Sequence, residues 1–357
     1  MDVILTGGFL GSGKTTGILQ SCNVLMQQNR RVAVITNDQG SQQVDTSLVR
    51  STNVPGGEIG GGCFCCRFEE LTGRIDEIVN DVAPDVIFAE AVGSCTDLVA
   101  TVAAPLLRQY SSVRVVVVTY VDSLFLVSLL DGTSSFIDES VRYIFRKQME
   151  EAGILIANKA DCLTPDQHTL MSDFLLTEFP HTIVIFQNSL DQDEVARGLS
   201  VIMGTTAKFR FLEINYDTYA EGESRLAWYD RSLRIESEKG NSIVIAEALM
   251  KSIFDAIRGA DLTIGHLKFL VQNNTATRKV SFTTASTDGK VKLGMAESRE
   301  VSVLINARMQ TDPATLQEII ERVAREVQKT HLCRILLGEG ASFSPGYPKP
   351  SHRLTTI

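Results

Sequence analysis

Residues 8–15 read GFLGSGKT, a full match to G-x-x-x-x-G-K-[ST]. Few eight-residue strings constrain a fold so tightly. The glycines let successive backbone N–H groups curl around phosphate oxygens, and a helix must start at the lysine so that its dipole faces the anion. The flanks agree: residues 2–6 form an apolar strand-like run, and residues 14–28 have helical character. Gly8, Gly11, Ser12, Gly13, Lys14, Thr15 and Thr16 are therefore candidate phosphate-binding residues. Lys14 is placed to reach the β- and γ-phosphates as a catalytic charge, and the Thr15 hydroxyl to hold Mg²⁺. The alternative is a glycine-rich turn with a solvated lysine.

The next two hundred residues alternate strand and helix signals. Strand-like runs fall at 31–36, 85–89, 113–120, 153–157 and 182–186, with helical stretches at 69–82, 140–150 and 165–177. Continuous apolar strands separated by helices predict an α/β fold, a doubly wound, mostly parallel sheet covered on both faces. After about residue 204 the pattern changes to strands at 208–214, 224–235, 264–272, 279–284 and 301–307, with helices at 242–258 and 313–329 and a short apolar run at 334–337. That order suits a smaller C-terminal α+β domain of the split-βαβ kind. The expected division is a nucleotide-binding domain over 1–205 and an α+β domain over 206–357, closing in an irregular Pro-rich tail.

A net charge of −9 argues against a nucleic-acid binder. No stretch approaches the ~20 apolar residues of a membrane span, and the first residues lack a signal pattern, so a cytoplasmic protein is expected. In a reducing compartment the seven cysteines are not a disulfide framework.

Residues 153–161 read GILIANKAD, an apolar strand leading into Asn-Lys-x-Asp. A carboxylate at Asp161 can accept two parallel hydrogen bonds from the N1–H and N2–H₂ edge of guanine, which adenine does not offer. Asn158 would brace the loop and Lys159 lie across the base. Asn188–Ser189 sits where a second base-contacting loop belongs. With the phosphate loop, this points to GTP. Two more strand ends carry acidic residues. Glu90 in FAEAVG is a candidate Mg²⁺ partner, with the Gly93 N–H beside the γ-phosphate; Asp38 in ITNDQG is a candidate for Mg²⁺ or for the attacking water. Neither a catalytic glutamine nor an arginine finger is assignable, so slow intrinsic hydrolysis is expected.

Residues 61–68 read GGCFCCRF and hold three cysteines in four positions. Cys63, Cys65 and Cys66 are candidate soft ligands for a transition metal such as Zn²⁺ or Co²⁺, with Glu58 a candidate fourth. Three thiolates with an open position describe an exchangeable site better than a closed structural one. Core packing and a redox switch remain open for these thiols. Cys22, Cys95 and Cys162 read as packing residues, and His331 with Cys333 as a weak ligand pair. Glycine clusters around residues 56–62 allow segment 39–68 to move, so metal and nucleotide could share it.

GGFLGSGKTT, ITNDQG, GGGCFCC, EAVG and ANKAD, in that order, resemble the CobW/HypB/UreG group of metal-chaperone GTPases, most closely its CobW-like branch. The resemblance covers roughly residues 1–205. It implies GTP hydrolysis coupled to delivery of a metal to a client metalloprotein, GTP-dependent homodimerisation, and metal binding at a Cys-x-Cys-Cys motif that maps onto Cys63, Cys65 and Cys66. This chain has Asp38 where the group usually carries Glu, and no histidine-rich run. An alternative within the same resemblance is a GTPase accessory factor for a corrinoid protein that handles no free metal.

Overall fold

The structure, a computed structural model, describes residues 1–356 apart from 41–43, 51, 53, 134–137, 206–208, 284, 285 and 287. It divides into two units: Met1–Gln39 with Thr52–Gly222 and Tyr347–Ile357, and Gly40–Ser51 with Glu223–Gly346.

The first unit is built on β1 (Asp2–Gly8), β2 (Val32–Asp38), β3 (Gly56–Gly60), β4 (Val86–Glu90), β5 (Arg114–Asp122), β6 (Ile154–Asn158) and β7 (Ile183–Gln187). They form one sheet in the order β3-β2-β4-β1-β5-β6-β7, and every pairing is parallel. β4 and β6 are buried along their whole length, as strands covered on both faces must be. Because all seven strands run the same way, their carboxyl ends share one edge. Gly8, Asp38, Gly60, Glu90, Asp122, Asn158 and Gln187 end them there, the edge where sheets of this kind place their ligands.

The second unit carries β8 (Leu226–Glu236), β9 (Thr263–Gln272), β10 (Thr277–Phe282), β11 (Glu300–Gln310) and β12 (Arg334–Phe343) in the order β10-β9-β11-β8-β12. β11 lies between β8 and β9 and runs antiparallel to both, which makes the β8–helix–β9 connection a split βαβ unit. Helices Ser242–Gly259 and Pro313–His331 bury Ile243, Ala246, Leu249, Met250 and Ile253, and Leu316, Ile320 and Val323, at helical spacing into one core with the sheet. The Asp312 carboxylate caps the second helix by accepting from the Thr315 N–H at 2.9 Å.

Four features depart from the expected organisation. β3 reads GGEIG, with too little apolar content to signal a strand, and its pairing with β2 creates it. No strand forms over 209–214, and residue 208 lies outside the described residues. Instead Asn215 accepts from the Asp217 and Thr218 N–H groups and turns the chain into helix Tyr216–Ser224. The unit boundary therefore falls after Gly222 rather than at 205, and the tail from Tyr347 returns to the first unit. Residues 40–51 belong to the second unit. There Asp45 pairs with Lys268 and, at 2.8 Å, with Lys279, and the Val44 N–H donates to Asn306 Oδ1 at 2.7 Å. Part of the segment expected to move, 41–43 with 51 and 53, lies outside the described residues. No described helix is long and apolar enough to cross a membrane.

Trp228 is a core residue, and the Arg308 guanidinium stands 3.9 Å over its ring. Arg308 and Asp230 form a fully buried pair at 2.6 Å, and Asp230 also accepts from Asn306 Nδ2 at 2.7 Å. Removing one member strands the other charge, which costs about 3–5 kcal/mol. Trp228 is the chain's single tryptophan, so its fluorescence reads this unit alone. Asp230→Ala is expected to lower the urea midpoint of the Trp228 signal sharply, and an unchanged midpoint would show that the pair carries no stability.

Candidate functional site

The phosphate loop joins β1 to helix Lys14–Gln27. Gly8, Gly11 and Gly13 all have positive φ, at 127°, 77° and 90°. Gly13 has no alternative: a Cβ there would stand 2.2 Å from Asn158 Nδ2. Lys14 is buried, and its ammonium donates to the Gly8 carbonyl at 2.7 Å and the Phe9 carbonyl at 3.3 Å, folding it back over the loop. Ser12 Oγ is buried without a hydrogen-bond partner among the described residues. An orphaned hydroxyl in a glycine cradle suits a ligand rich in acceptor oxygens. Thr16 lies half-buried in the first helical turn.

Thr15 Oγ1 donates to Glu90 Oε1 at 2.9 Å, across 75 residues of sequence. The hydroxyl and carboxylate oxygens thus stand together, the hard donor set that Mg²⁺ takes. Gly93, three residues past the end of β4, comes against the phosphate loop so closely that a Cβ would meet Leu10 Cδ2 at 2.7 Å and Leu10 N at 3.2 Å. Asp38 ends β2, in register with Gly60.

On the other side, Asn158 is buried and bridges two loops. Its Nδ2 donates to the Ser12 carbonyl at 2.8 Å, and its Oδ1 accepts from the Ser189 N–H at 3.0 Å. The expected second base loop at Asn188–Ser189 is therefore brought to the first. Lys159 takes a left-handed φ of 61° and pairs with Asp122, whose carboxylate also caps helix Ser123–Leu130. Asp161 follows in a short 3₁₀ turn, exposed at the rim.

The cysteine loop follows β3. The Cys66 and Arg67 N–H groups both donate to the Cys63 carbonyl at 3.0 Å, closing a tight turn. It gathers the three sulfurs within 4.8 Å of one another, with Cys63 Sγ 3.3 Å and Cys65 Sγ 3.8 Å from Cys66 Sγ. Cys63 and Cys65 are buried, Cys66 is half-buried, and all seven cysteines are free. Hydrogen bonds from the Cys65, Cys66 and Cys95 thiols hold Cys63 well below the ordinary thiol range. Cys65 is pushed above it by its contact with Cys63, and Cys66 up to about 11 by the same neighbour.

Glu58 does not join this group. It lies inside β3 opposite Thr36, and an extended strand rises roughly 3.3 Å per residue, which leaves it two residues short of the turn. One residue that the sequence did not single out does the positioning. The Asn37 side chain donates to the Ile59 and Gly62 carbonyls at 3.0 and 2.6 Å and accepts from the Phe64 N–H at 2.9 Å. The clue was an amide beside Asp38. Cys95, read as packing, is buried. Cys22 is buried in the core as expected, with burial pushing its pKa up to about 12, whereas Cys162, read as packing, is exposed; His331 with Cys333 forms no ligand group among the described residues.

The tail lies across the cysteine turn. The Lys349 N–H donates to Cys66 Sγ at 3.3 Å and the Ser351 N–H to the Cys65 carbonyl at 2.8 Å. His352 meets Glu69 at 3.0 Å, and Arg353 Nε donates to Asp97 Oδ2 at 2.7 Å. Lys349 stands between Pro348 and Pro350, so the only N–H in that tripeptide is the one aimed at sulfur.

Residues 2–178 match the family "CobW/HypB/UreG, nucleotide-binding domain". The chain is 30% identical to the zinc chaperone YeiR of Escherichia coli (strain K12) over 165 residues, 45% of this chain and 47% of that one. It is 30% identical to the zinc chaperone YjiA of the same strain over 140 residues, 38% and 40% of the two chains. The match thus spans less than half the length of these relatives. Among solved structures, HypB from Helicobacter pylori in complex with nickel aligns with a TM-score of 0.42 at 15% identity, covering 59% of this chain and 91% of that one.

The loop after β4 rests on Glu151, which accepts from Thr96 Oγ1 and the Val99 N–H, both at 3.3 Å. Burial, and then the nearby Asp97 carboxylate, pushes Glu151 up to about 8. A carboxyl raised on folding contributes its full stability below the unfolded value of about 4.5 and loses it as pH climbs towards 8. Glu151→Gln carries no such titration. Its stability relative to the parent chain is expected to rise by on the order of 2–4 kcal/mol between pH 5 and pH 8 in denaturant melts. A difference constant with pH would contradict this.

Proposed function

Residues 2–178 being a CobW/HypB/UreG nucleotide-binding domain, we propose that this chain is a GTP-hydrolysing metallochaperone. It binds a transition metal, zinc by preference, at Cys63, Cys65 and Cys66, and its nucleotide state sets when the metal passes to a client protein. One observation carries this reading: the Thr15–Glu90 oxygen pair and the cysteine turn stand at carboxyl ends of the same parallel sheet. Hard and soft donor sets are thus separate but adjacent, so Mg²⁺ and a thiophilic ion do not compete.

Lys14 and the N–H groups of residues 8–15 would hold the phosphates, and Asp161 the guanine edge. Bound Mg²⁺ supplies neutralisation of charge on the β- and γ-oxygens, and Thr15 and Glu90 are the residues to hold it. Asp38 is the residue to orient the attacking water. That the matched relatives are named zinc chaperones supports zinc as the cargo. The client is a metal-requiring protein, and a GTP-dependent homodimer is the assembly to look for.

Two outcomes test this. Asp161→Ala is expected to weaken GTP use on the order of 100-fold while barely changing ATP use; an equal effect on both nucleotides would remove the guanine assignment. Zinc is expected to alter the GTP hydrolysis rate of the parent chain and to leave that of Cys65→Ala, Cys66→Ala unaffected. If the two proteins respond alike, the cysteine turn is not the site that speaks to the nucleotide.

A further inference from the structure

Given the metallochaperone reading, on which this rests, we propose that the tail segment 347–354 completes the metal site. It straps the cysteine turn shut, and the Lys349 backbone N–H is a positioning donor for the Cys66 sulfur when that sulfur ligates a metal. The donor comes from 283 residues past Cys66, far outside the Cys-x-Cys-Cys motif. The Lys349 N–H donates to Cys66 Sγ at 3.3 Å, the Ser351 N–H to the Cys65 carbonyl at 2.8 Å, and Ser351 Oγ to the Cys66 carbonyl at 3.3 Å. Both ends of the strap are fastened. Tyr347 Oη donates to Asp217 Oδ1 at 3.1 Å. Arg353 donates through Nε to Asp97 Oδ2 and through Nη2 to the Leu212 carbonyl, both at 2.7 Å, and the Leu354 N–H donates to the Ala100 carbonyl at 2.9 Å.

Burial of apolar surface does not account for this course. Lys349, Ser351 and His352 are exposed residues, so what the segment presents to the turn is mainly backbone. Pro348 and Pro350 hold the chain on either side of Lys349 and carry no N–H of their own. The one donor there therefore has little conformational freedom left to lose. A neutral thiol is a weak acceptor, whereas a charged sulfur accepts roughly twice as strongly. The Lys349 N–H is thus of most use when Cys66 is a thiolate on a metal. Groups that hydrogen-bond a metal's ligands orient them and keep them on the ion.

The strap also stands where a metal must pass. Cys63 and Cys65 are buried, and Cys66, the cysteine it meets through sulfur, is the half-buried one of the three. Its Arg353 clamp is set on Asp97, four residues past Gly93, which sits against Leu10 of the phosphate loop. A shift of that loop on GTP binding or hydrolysis would loosen the clamp. The site then has a strapped state that retains metal and an open one that releases it.

The test is chelator competition on the reduced, full-length protein loaded with Zn²⁺ alone. Lys349→Pro removes the N–H from a position already held extended by the proline after it, and Lys349→Ala keeps the N–H and removes the side chain. Lys349→Pro is expected to bind Zn²⁺ roughly tenfold more weakly and to release it faster, with Lys349→Ala within about twofold of the parent. Arg353→Ala, which unfastens the strap from Asp97 and keeps the donor, is expected to speed release as well. Lys349→Pro with the parent's affinity, or Lys349→Ala weakened as much as Lys349→Pro, would overturn the positioning donor and leave the three-cysteine site standing. Release from Arg353→Ala at the parent's rate would overturn the strap. A parent chain that takes up no Zn²⁺ would overturn both this inference and the metallochaperone reading.

Discussion

Three buried side-chain amides hold the carboxyl edge of the parallel sheet in shape. Asn158 ties the phosphate loop to Ser189, Asn37 ties the cysteine turn to the end of β2, and Gln148 ties the loop carrying Gly93 and Cys95 to helix Glu139–Glu151. A loop in contact with a buried edge has carbonyls that must be paired, and leaving one unpaired costs roughly 1–3 kcal/mol. An amide answers this with a donor and an acceptor on one short, neutral group. It places loops beside one another without adding a charge that would compete with phosphate or metal.

The same edge separates its charges by chemistry. Lys14 folds back onto loop carbonyls, where an incoming anion would find it already desolvated and aimed. Among the thiols, hydrogen bonding within the cluster pulls Cys63 below the ordinary range and pushes Cys65 above it. The tail adds a backbone donor to the sulfur of Cys66, the most exposed cysteine of the three.

Much of this was legible from residues alone, for physical reasons. The phosphate loop and the Asn-Lys-x-Asp stretch are local: their function needs particular residues at fixed spacing, and each lies directly after a continuous apolar strand. The cysteine turn was legible for the same reason. What escaped was non-local. β3 exists because β2 offers it an edge, not because GGEIG favours extension. Asn37 looks like one polar residue among several in ITNDQG until its three partners are seen. Glu58 looked close only because sequence distance ignores strand rise. Helix Tyr216–Ser224, in the stretch read as a polar turn between two strands, starts where the Asn215 side chain accepts from the Asp217 and Thr218 N–H groups. The membership of residues 40–51 in the second unit, through Asp45, Lys268 and Lys279, depends on partners more than 220 residues away.

The central claim is that nucleotide and metal bias one another through this edge. Coupling of that kind is reciprocal and, where it operates, typically worth about 5- to 150-fold in affinity. Zinc affinity of the reduced, full-length protein, measured by chelator competition with GDP and then with a non-hydrolysable GTP analogue, tests it most directly. The account predicts affinities that differ at least about fivefold between the two nucleotides; the same zinc affinity in both states would contradict it.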